Sequence, residues 1–589
     1  MDMNRPMKGK DTSPAKQALA GSVAETLARG LVRHNVQQIF GQSLPSALIL
    51  AATAVGIRQI SYRTENAGGA MADGFARVSH RVGVVAAQNG PAATLLVAPL
   101  SEALAASIPI VALVQDVPVS TRDRNGFQEL NHFELFASCA KWVRRLDDPN
   151  RADDYLDMAF VAASSGRAGP AVLLLPKDVL REASTAARKP RSSGLGKYPL
   201  DRLRPAAGSI EKAAQLLAAA KSPVIVAGGG VPASDAAGAL AAIQEKFRIP
   251  VATTIMGKGS VLDTHPLSLG VLGYASGAKD SPSEFLAPIL SAADVVCLVG
   301  TRTNENATDS WRLYPPDATY IHIDIDGSEV GRNYEAVRVV GDAHAALEDL
   351  FSSLGGIDTS QRTSNSAALE KAIATARERA KPNVVHRTLS TDIPIRPERI
   401  MHEIALRLRD DAIVVSDASY SSVWMANYLP ATSTAQRFIA PRGLAGLGWG
   451  LPLAVGAKAA EPERPVLCIA GDGAFAHTWA EMETCIRSDL PVTIVLLNNG
   501  VLGYQKHAEL FQFGDYTSAI DFAPVDHAAI ARACGARGVR ITDPDQLGQA
   551  LDEAMASETT TLIEVMTTPS AYPLIRAWDG HEEILLSRD

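Results

Sequence analysis

Pro465-Val466-Leu467-Cys468-Ile469-Ala470 runs into Gly471-Asp472-Gly473, and after 24 further residues a second apolar run, Val492 to Leu497, ends in Asn498-Asn499. Runs of this kind, β-branched and bounded by turn residues, suit parallel strands buried on both faces. Between them Phe475, Trp479, Met482, Cys485 and Ile486 recur at helical spacing. The stretch therefore reads as a β-α-β unit. A right-handed crossover brings Asp472 and the Asn pair to the same, carboxyl edge of the sheet. An Asp carboxylate with an Asn carbonyl suits Mg²⁺, which takes few protein ligands and completes its shell from phosphate and water. Gly473 lets the backbone approach a diphosphate closely. Singly, Gly-Asp-Gly is usually a turn and Asn-Asn-Gly a strand end; together at this spacing, each after its own strand, they are far more specific.

The 589 residues exceed what one core accommodates and suggest three or four domains. Hydrophobic residues make up 47% and charged residues 20%, a globular balance. The net charge of −8, with no basic run flanked by aromatics, argues against nucleic acid as a partner. Cys139, Cys297, Cys468, Cys485 and Cys534 are scattered without metal spacing and read as buried thiols in a reducing compartment. The first residues, to about Gln17, are polar with several Lys, unlike a signal peptide, and no apolar run reaches membrane-spanning length. The expectation is a soluble, cytoplasmic protein with no membrane partner.

Strand-like runs alternate with Ala-rich helical segments, which predicts an α/β chain of three consecutive doubly wound parallel-sheet domains. The expected boundaries are a disordered tail over 1–19, a first domain over 20–186, a linker over 187–204, a central domain over 205–356, a second linker over 357–395, a third domain over 396–570 and a C-terminal tail over 571–589. The second linker begins polar and becomes a charged, Ala-rich helix. The first and third domains are expected to share a topology.

Two further segments carry chemistry. Tyr62-Arg63-Thr64-Glu65-Asn66-Ala67-Gly68-Gly69-Ala70-Met71 sends a Glu into a helix of small residues. A carboxylate is favoured at a helix N-terminus, so Glu65 alone reads equally well as a cap. Gly443-Leu444-Ala445-Gly446-Leu447-Gly448-Trp449-Gly450 has a Gly-x-Gly pattern but lacks the frame of a dinucleotide fingerprint.

The Gly-Asp-Gly and Asn-Asn pair resembles the diphosphate-binding motif of thiamine diphosphate enzymes, and the Glu65 segment resembles the catalytic-glutamate helix of the acetolactate synthase-like superfamily. That superfamily includes acetolactate synthase, 2-hydroxyacyl-CoA lyase and oxalyl-CoA decarboxylase. The resemblance covers residues from about 20 to 575 and implies pyrimidine-binding, central and diphosphate-binding domains in that order. It implies a carbon–carbon lyase or carboligase that acts on a 2-oxo acid through a thiazolium ylide and an enamine; the alternative is a lyase acting on an acyl-CoA, and a non-catalytic homologue is the third reading.

By the same resemblance Glu65 hydrogen-bonds N1′ of the cofactor's pyrimidine. Gln128, in Asn125-Gly126-Phe127-Gln128-Glu129, sits beside the reacting carbon, and Asn89 belongs to a turn at the cofactor. Ser419, Tyr420 and Ser421 hold the diphosphate with Gly471, Asp472, Gly473, Ala474, Asn499, Val501, Leu502 and Gly503. Asp472, Asn499 and the Val501 carbonyl bind Mg²⁺. Leu447 wedges between the two cofactor rings and the Ala445 carbonyl accepts from the 4′-amino group. Tyr504 and the segment Tyr572–Asp579 face the substrate, the latter as a lid. His132 reads more readily as a packed residue than as an acid or base.

Three departures from the synthase pattern stand out. Ala508 replaces the aromatic that sizes the acceptor pocket, Phe40-Gly41-Gln42-Ser43-Leu44-Pro45 lacks the usual Pro-Gly turn, and hydroxyls at 420 and 421 replace Gln-His. In the central domain, Gly228-Gly229-Gly230, Met256-Gly257-Lys258-Gly259, Gly300-Thr301-Arg302 and Asp324-Ile325-Asp326 fall where relatives hold ADP or FAD. Expected partners are a small 2-oxo acid, an aldehyde or ketone, or an acyl-CoA, and a second copy of the chain. The resemblance implies a homodimer or homotetramer with active sites at the subunit interface.

Overall fold

The computed structural model describes residues 19–184 and 190–579. The expected disordered tail ahead of Leu19, part of the first linker (185–189) and the end of the C-terminal tail (580–589) lie outside the described residues. The chain divides into two compact units, one of residues up to 73 with 81–200, the other of 74–80 with 201–589.

Among the described residues, eighteen strands build three six-stranded sheets whose internal pairings are all parallel. The first holds β1 (Gln38–Gly41), β2 (Arg58–Ile60), β3 (Gly83–Ala87), β4 (Ile110–Asp116), β5 (Trp142–Arg145) and β6 (Pro170–Pro176), in the order β2-β1-β3-β4-β6-β5. The central sheet holds β7 (Pro223–Ala227), β8 (Val251–Thr253), β9 (Ser268–Val271), β10 (Val295–Val299), β11 (Thr319–Asp324) and β12 (Ala336–Val340), in the order β9-β8-β7-β10-β11-β12. The third holds β13 (Ile413–Ser416), β14 (Arg437–Ile439), β15 (Val466–Gly471), β16 (Thr493–Asn498), β17 (Arg537–Ile541) and β18 (Thr561–Met566), in the order β14-β13-β15-β16-β18-β17.

The inner strands are the apolar runs of the sequence. All seven residues of β4 and all five of β7 and of β10 are buried, as expected of strands covered by helices on both faces. The first and third sheets have the same strand order, so those two domains are alike in topology, as expected. The central sheet has the 3-2-1-4-5-6 order of dinucleotide-binding folds.

Two elements differ from expectation. The crossover between β15 and β16 is two short helices, Asp472–Phe475 and Glu481–Arg487, rather than one. The chain turns between them and Thr478 Oγ1 donates to the Gly448 carbonyl at 2.7 Å. The second linker is helical almost throughout, as a 29-residue helix over Ser360–Thr388. Its Ile373 and Ala376 are buried in the central domain's core beside Leu267, Leu290 and Tyr320, so it packs as part of that domain. Among the described residues no helix is long and apolar enough to cross a membrane.

Candidate active site

In open parallel sheets, ligands sit outside the carboxyl ends of the strands where the strand order reverses. In the third domain that point lies between β13 and β15, and a cavity of about 400 Å³ opens there. Its lining includes Ser419, Tyr420 and Ser421 after β13, Gly471, Asp472, Gly473 and Ala474 at the end of β15, and Asn499, Val501, Leu502, Gly503 and Tyr504 after β16. Ala445 and Leu447 of the Gly-rich segment complete the group. Every site residue expected in the third domain thus faces one space.

Three helices begin at this cavity: Tyr420–Tyr428, Asp472–Phe475 and Gly503–Phe513. Unpaired N–H groups at helix N-termini favour anions. Ser419 precedes the first of them with φ 62° and ψ −144°, a conformation nearly confined to glycine, and Ala445 is left-handed at φ 61°. Strain of this kind gathers at binding sites, where the surrounding structure holds it in place.

Asp472 is 5% exposed, and burial raises its carboxyl above the ordinary value. One oxygen accepts from the Gly500 N–H at 3.0 Å, and no Lys, Arg or His forms an ion pair with it among the described residues. A buried carboxylate without a cation is costly, so the site fits a bound divalent ion. The donors beside it are oxygens. Asn499 Oδ1 accepts from the Val501 N–H at 3.2 Å and the Val501 carbonyl accepts from the Gly503 N–H at 3.0 Å, each with a second lone pair remaining. No group of three His, Cys, Asp or Glu residues placed to hold a metal ion occurs among the described residues, so a cation here relies on amide, carbonyl and ligand oxygens, which suits Mg²⁺ with a diphosphate.

The Asn pair divides its labour. Asn498 is buried and donates to Glu564 Oε1 at 2.7 Å, while Asn499 lines the cavity. Glu564 is fully buried, yet bonds from His527, Arg540, the Ala528 N–H and Asn498 hold its carboxyl well below the usual range. This hub anchors the strand ends that carry the site.

Asp417, at the end of β13, pins the Gly-rich segment. Its carboxylate accepts from the N–H groups of Ala418 and Gly450 at 2.8 Å and of Gly448 at 3.0 Å, although burial pushes its pKa up to about 6. Asp417→Ala would strand three buried donors and is expected to cost about 3 kcal/mol. Asp417→Asn keeps the two bonds to Oδ1, opposes the Gly450 N–H with an amide and should lose about half as much. Denaturant midpoints of the two variants check the order.

The first domain presents its own groups at the carboxyl edge of its sheet. Glu65 opens the helix Glu65–Ser79 and is half-buried. The cap is made by Thr64, whose Oγ1 accepts from the Ala67 N–H at 3.3 Å. Glu65 has no side-chain partner among the described residues, so it does not act as the cap. Gln128 is left-handed at φ 60° and its Oε1 accepts from Gln88 Nε2 at 2.6 Å. Asn89 is committed to the loop: its Nδ2 donates to the Phe127 and Gln128 carbonyls and its Oδ1 accepts from Gln115. It positions Gln128, where a direct cofactor contact was expected. His132 is fully buried, with Nδ1 at 3.1 Å from Asp116 and Nε2 accepting from the Gly90 N–H at 3.2 Å, and is a packed residue.

Sequence reasoning missed part of the lining. Tyr274 and Asn306 come from the central domain, Arg442 precedes the Gly-rich motif, and Trp424, Thr567 and Thr568 complete the wall. None belongs to a motif of its own, although Arg442 adjoins Gly443, Trp424 follows Ser421 by three residues and Asn306 follows Arg302 by four. The Tyr572–Asp579 segment packs behind Tyr504, with the Trp578 ring 5.8 Å from the Tyr504 ring. Ala508 lies beside the cluster that contains Trp578 and Ile575, which places aromatic bulk near the position vacated by the expected aromatic.

The central domain's own reversal point lies between β7 and β10, and glycines bring its loops together there. The Gly230 N–H donates to the Gly300 carbonyl at 2.9 Å, and a Cβ on Gly230 would lie 2.6 Å from Gly300 Cα.

The three domains match three family descriptions in order: "Thiamine pyrophosphate enzyme, N-terminal TPP binding domain" over residues 21–135, the central domain over 210–350, and the C-terminal TPP binding domain over 417–565. A site built on helix N-termini, with an Asp-Asn pair at the strand tips, in a chain with all three domains, defines a thiamine diphosphate enzyme. The chain is 32% identical to "Probable acetolactate synthase large subunit" of Methanococcus aeolicus, over 93% of this chain and 92% of the relative. It is 31% identical to "Acetolactate synthase isozyme 3 large subunit" of Escherichia coli strain K12, over 96% and 99%, and 30% identical to "Acetolactate synthase" of Mycobacterium bovis, over 98% and 92%. The chain belongs to the acetolactate synthase-like family of thiamine diphosphate-dependent enzymes, which form carbon–carbon bonds.

Proposed function

We propose that the protein is a Mg²⁺- and thiamine diphosphate-dependent carboligase that joins the acyl group of a 2-oxo acid to a second carbonyl compound. The observation that carries this reading is the cavity at the third domain's reversal point, where three helix N-termini meet Asp472 and Asn499. Acetolactate synthases among the relatives support a 2-oxo acid donor over the acyl-CoA alternative.

Asp472, Asn499 and the Val501 carbonyl hold Mg²⁺. The N-terminus formed by Ser419, Tyr420 and Ser421, with Gly471, Gly473, Ala474, Leu502 and Gly503, receives the diphosphate. Leu447 would wedge between the two cofactor rings, and the Ala445 carbonyl would accept a hydrogen bond from the 4′-amino group. Bound thiamine diphosphate supplies a thiazolium carbon that becomes a nucleophile and then an electron sink. Glu65 would hold and share a proton at the pyrimidine ring nitrogen of the bound cofactor. Gln128 and Tyr504 face the reacting carbonyls, and burial keeps the Tyr504 hydroxyl protonated beyond its ordinary range, as a donor to a developing alkoxide.

The enzyme works as a homodimer or homotetramer in the cytoplasm. The central domain contributes Tyr274 and Asn306 to the cavity, and its own reversal point, where Gly230 and Gly300 bring two loops together, is where ADP or FAD would be held. Mass spectrometry of small molecules released from the purified protein, followed by assay of CO₂ and coupled product from 2-oxo acids, tests the whole reading. Thiamine diphosphate and a carbon–carbon product are expected, and the same spectrum separates ADP from FAD in the central domain. A protein that does not bind thiamine diphosphate at saturating Mg²⁺ would overturn it.

A further inference from the structure

Arg442 stands in the cavity wall three residues before Ala445 and five before Leu447. Its Nη2 donates to Tyr274 Oη at 2.6 Å and its Nη1 to Ser422 Oγ at 3.2 Å. The guanidinium carbon lies 5.3 Å from the centroid of the Tyr274 ring. Tyr274 is itself fixed, because its backbone N–H donates to the Asn306 carbonyl at 2.8 Å. The contacts made by Arg442 are thus with neutral hydroxyls and a ring face. Among the described residues no Asp or Glu forms an ion pair with it. A guanidinium has five donors in a planar fork matched to a carboxylate. Here it is held in place, half-buried and without a counterion, beside Tyr274, Tyr420, Tyr504 and Trp424 of the same cavity.

Resting on the carboligase reading above, we propose that Arg442 is the specificity-determining residue for the acceptor, binding a carboxylate that the acceptor keeps throughout the reaction. The donor's carboxylate is a poor candidate for this partner. It leaves as CO₂, its carbon–carbon bond breaking with the electron pair left on the acyl carbon, so negative charge departs from it as the transition state forms. A guanidinium holding it would stabilise the ground state more than the transition state and slow the step. The acceptor's carboxylate keeps its charge. Gripping it orients the adjacent carbonyl for attack at no such cost. In the coupling, the donor acyl carbon bonds to the acceptor carbonyl carbon, the π pair moves to oxygen, and that oxygen takes a proton. Donor anion, acceptor anion and one proton thus give one 2-hydroxy-3-oxo acid anion and CO₂.

The test presents holoenzyme with pyruvate as donor and a mixture of pyruvate and acetaldehyde as competing acceptors, and reads the ratio of the two coupled products. For Arg442→Gln, kcat/KM for pyruvate as acceptor is expected to fall about 100-fold relative to acetaldehyde, and Arg442→Lys to recover part of the ratio. Calorimetric titration with lactate, an unreactive carboxylate, should show a parallel loss of affinity in Arg442→Gln. An unchanged product ratio, or a loss confined to thiamine diphosphate affinity, overturns the proposal while leaving the carboligase reading intact. A wild-type enzyme that binds thiamine diphosphate but couples no 2-oxo acid overturns both.

Discussion

Asp472→Asn is expected to weaken the joint retention of Mg²⁺ and thiamine diphosphate by a factor of several hundred or more, while the free protein folds normally. The substitution keeps the size of the side chain and an acceptor for the Gly500 N–H, and removes the one carboxylate at the proposed cation site. Losing one partner of a buried charge pair costs about 3–5 kcal/mol, which sets the factor. The sign of the pH dependence follows from burial. Asp472 has a raised folded-state pKa, so the free folded chain binds its proton more tightly than the unfolded chain does. Stability of the free protein therefore falls as pH rises from the unfolded value through the folded one, and the ionised carboxylate remains a cost above that. A bound cation cancels the cost. The rise in melting temperature produced by Mg²⁺ and thiamine diphosphate should accordingly be larger at neutral than at acidic pH, and Asp472→Asn should remove both the rise and its pH dependence. Thermal unfolding with and without the ligands reads all of this; a ligand-induced rise that survives in the variant would remove Asp472 from the cation site.

Glu65→Gln should leave folding and diphosphate binding intact and slow exchange of the cofactor's C2 proton by about 100- to 10,000-fold, the range of a lost acid–base partner. Glu65 opens the helix Glu65–Ser79, where the dipole favours a carboxylate, and Thr64 already supplies the cap. Removing its charge therefore costs little stability, a few tenths to about 1 kcal/mol. Proton exchange followed by magnetic resonance separates this role from a structural one. A marked loss of stability with unchanged exchange would make Glu65 a structural residue.

Legibility varied with how local each signal was. The ends of β15 and β16 could be read directly, since apolar runs stop where Gly471 and Asn498 begin, and the register pairs Gly471 with Leu497. The Asn pair was read as one signal, and only the packing of Glu564 separates buried Asn498 from Asn499 in the cavity. Asn89 shows the same limit: its chemistry suits a ligand contact, but three hydrogen bonds commit it to the loop that carries Gln128. The single crossover helix failed as a prediction because its apolar spacing continues across a turn that packs Thr478 against Gly448.

By itself the sequence determined three parallel α/β domains, the strand tips that bear Asp472 and Asn499, and the glycine-rich and hydroxyl-rich turns that line the cavity. These features are local, because a strand end followed by a turn places its side chains without reference to distant chain. Tertiary structure alone decided which polar groups are already satisfied and which face open space. It brought Arg442 into one wall with Tyr274 and Asn306, both more than a hundred residues before it in the chain. Hydrogen-bond satisfaction and charge pairing are properties of neighbours in space, and no spacing along the chain encodes them.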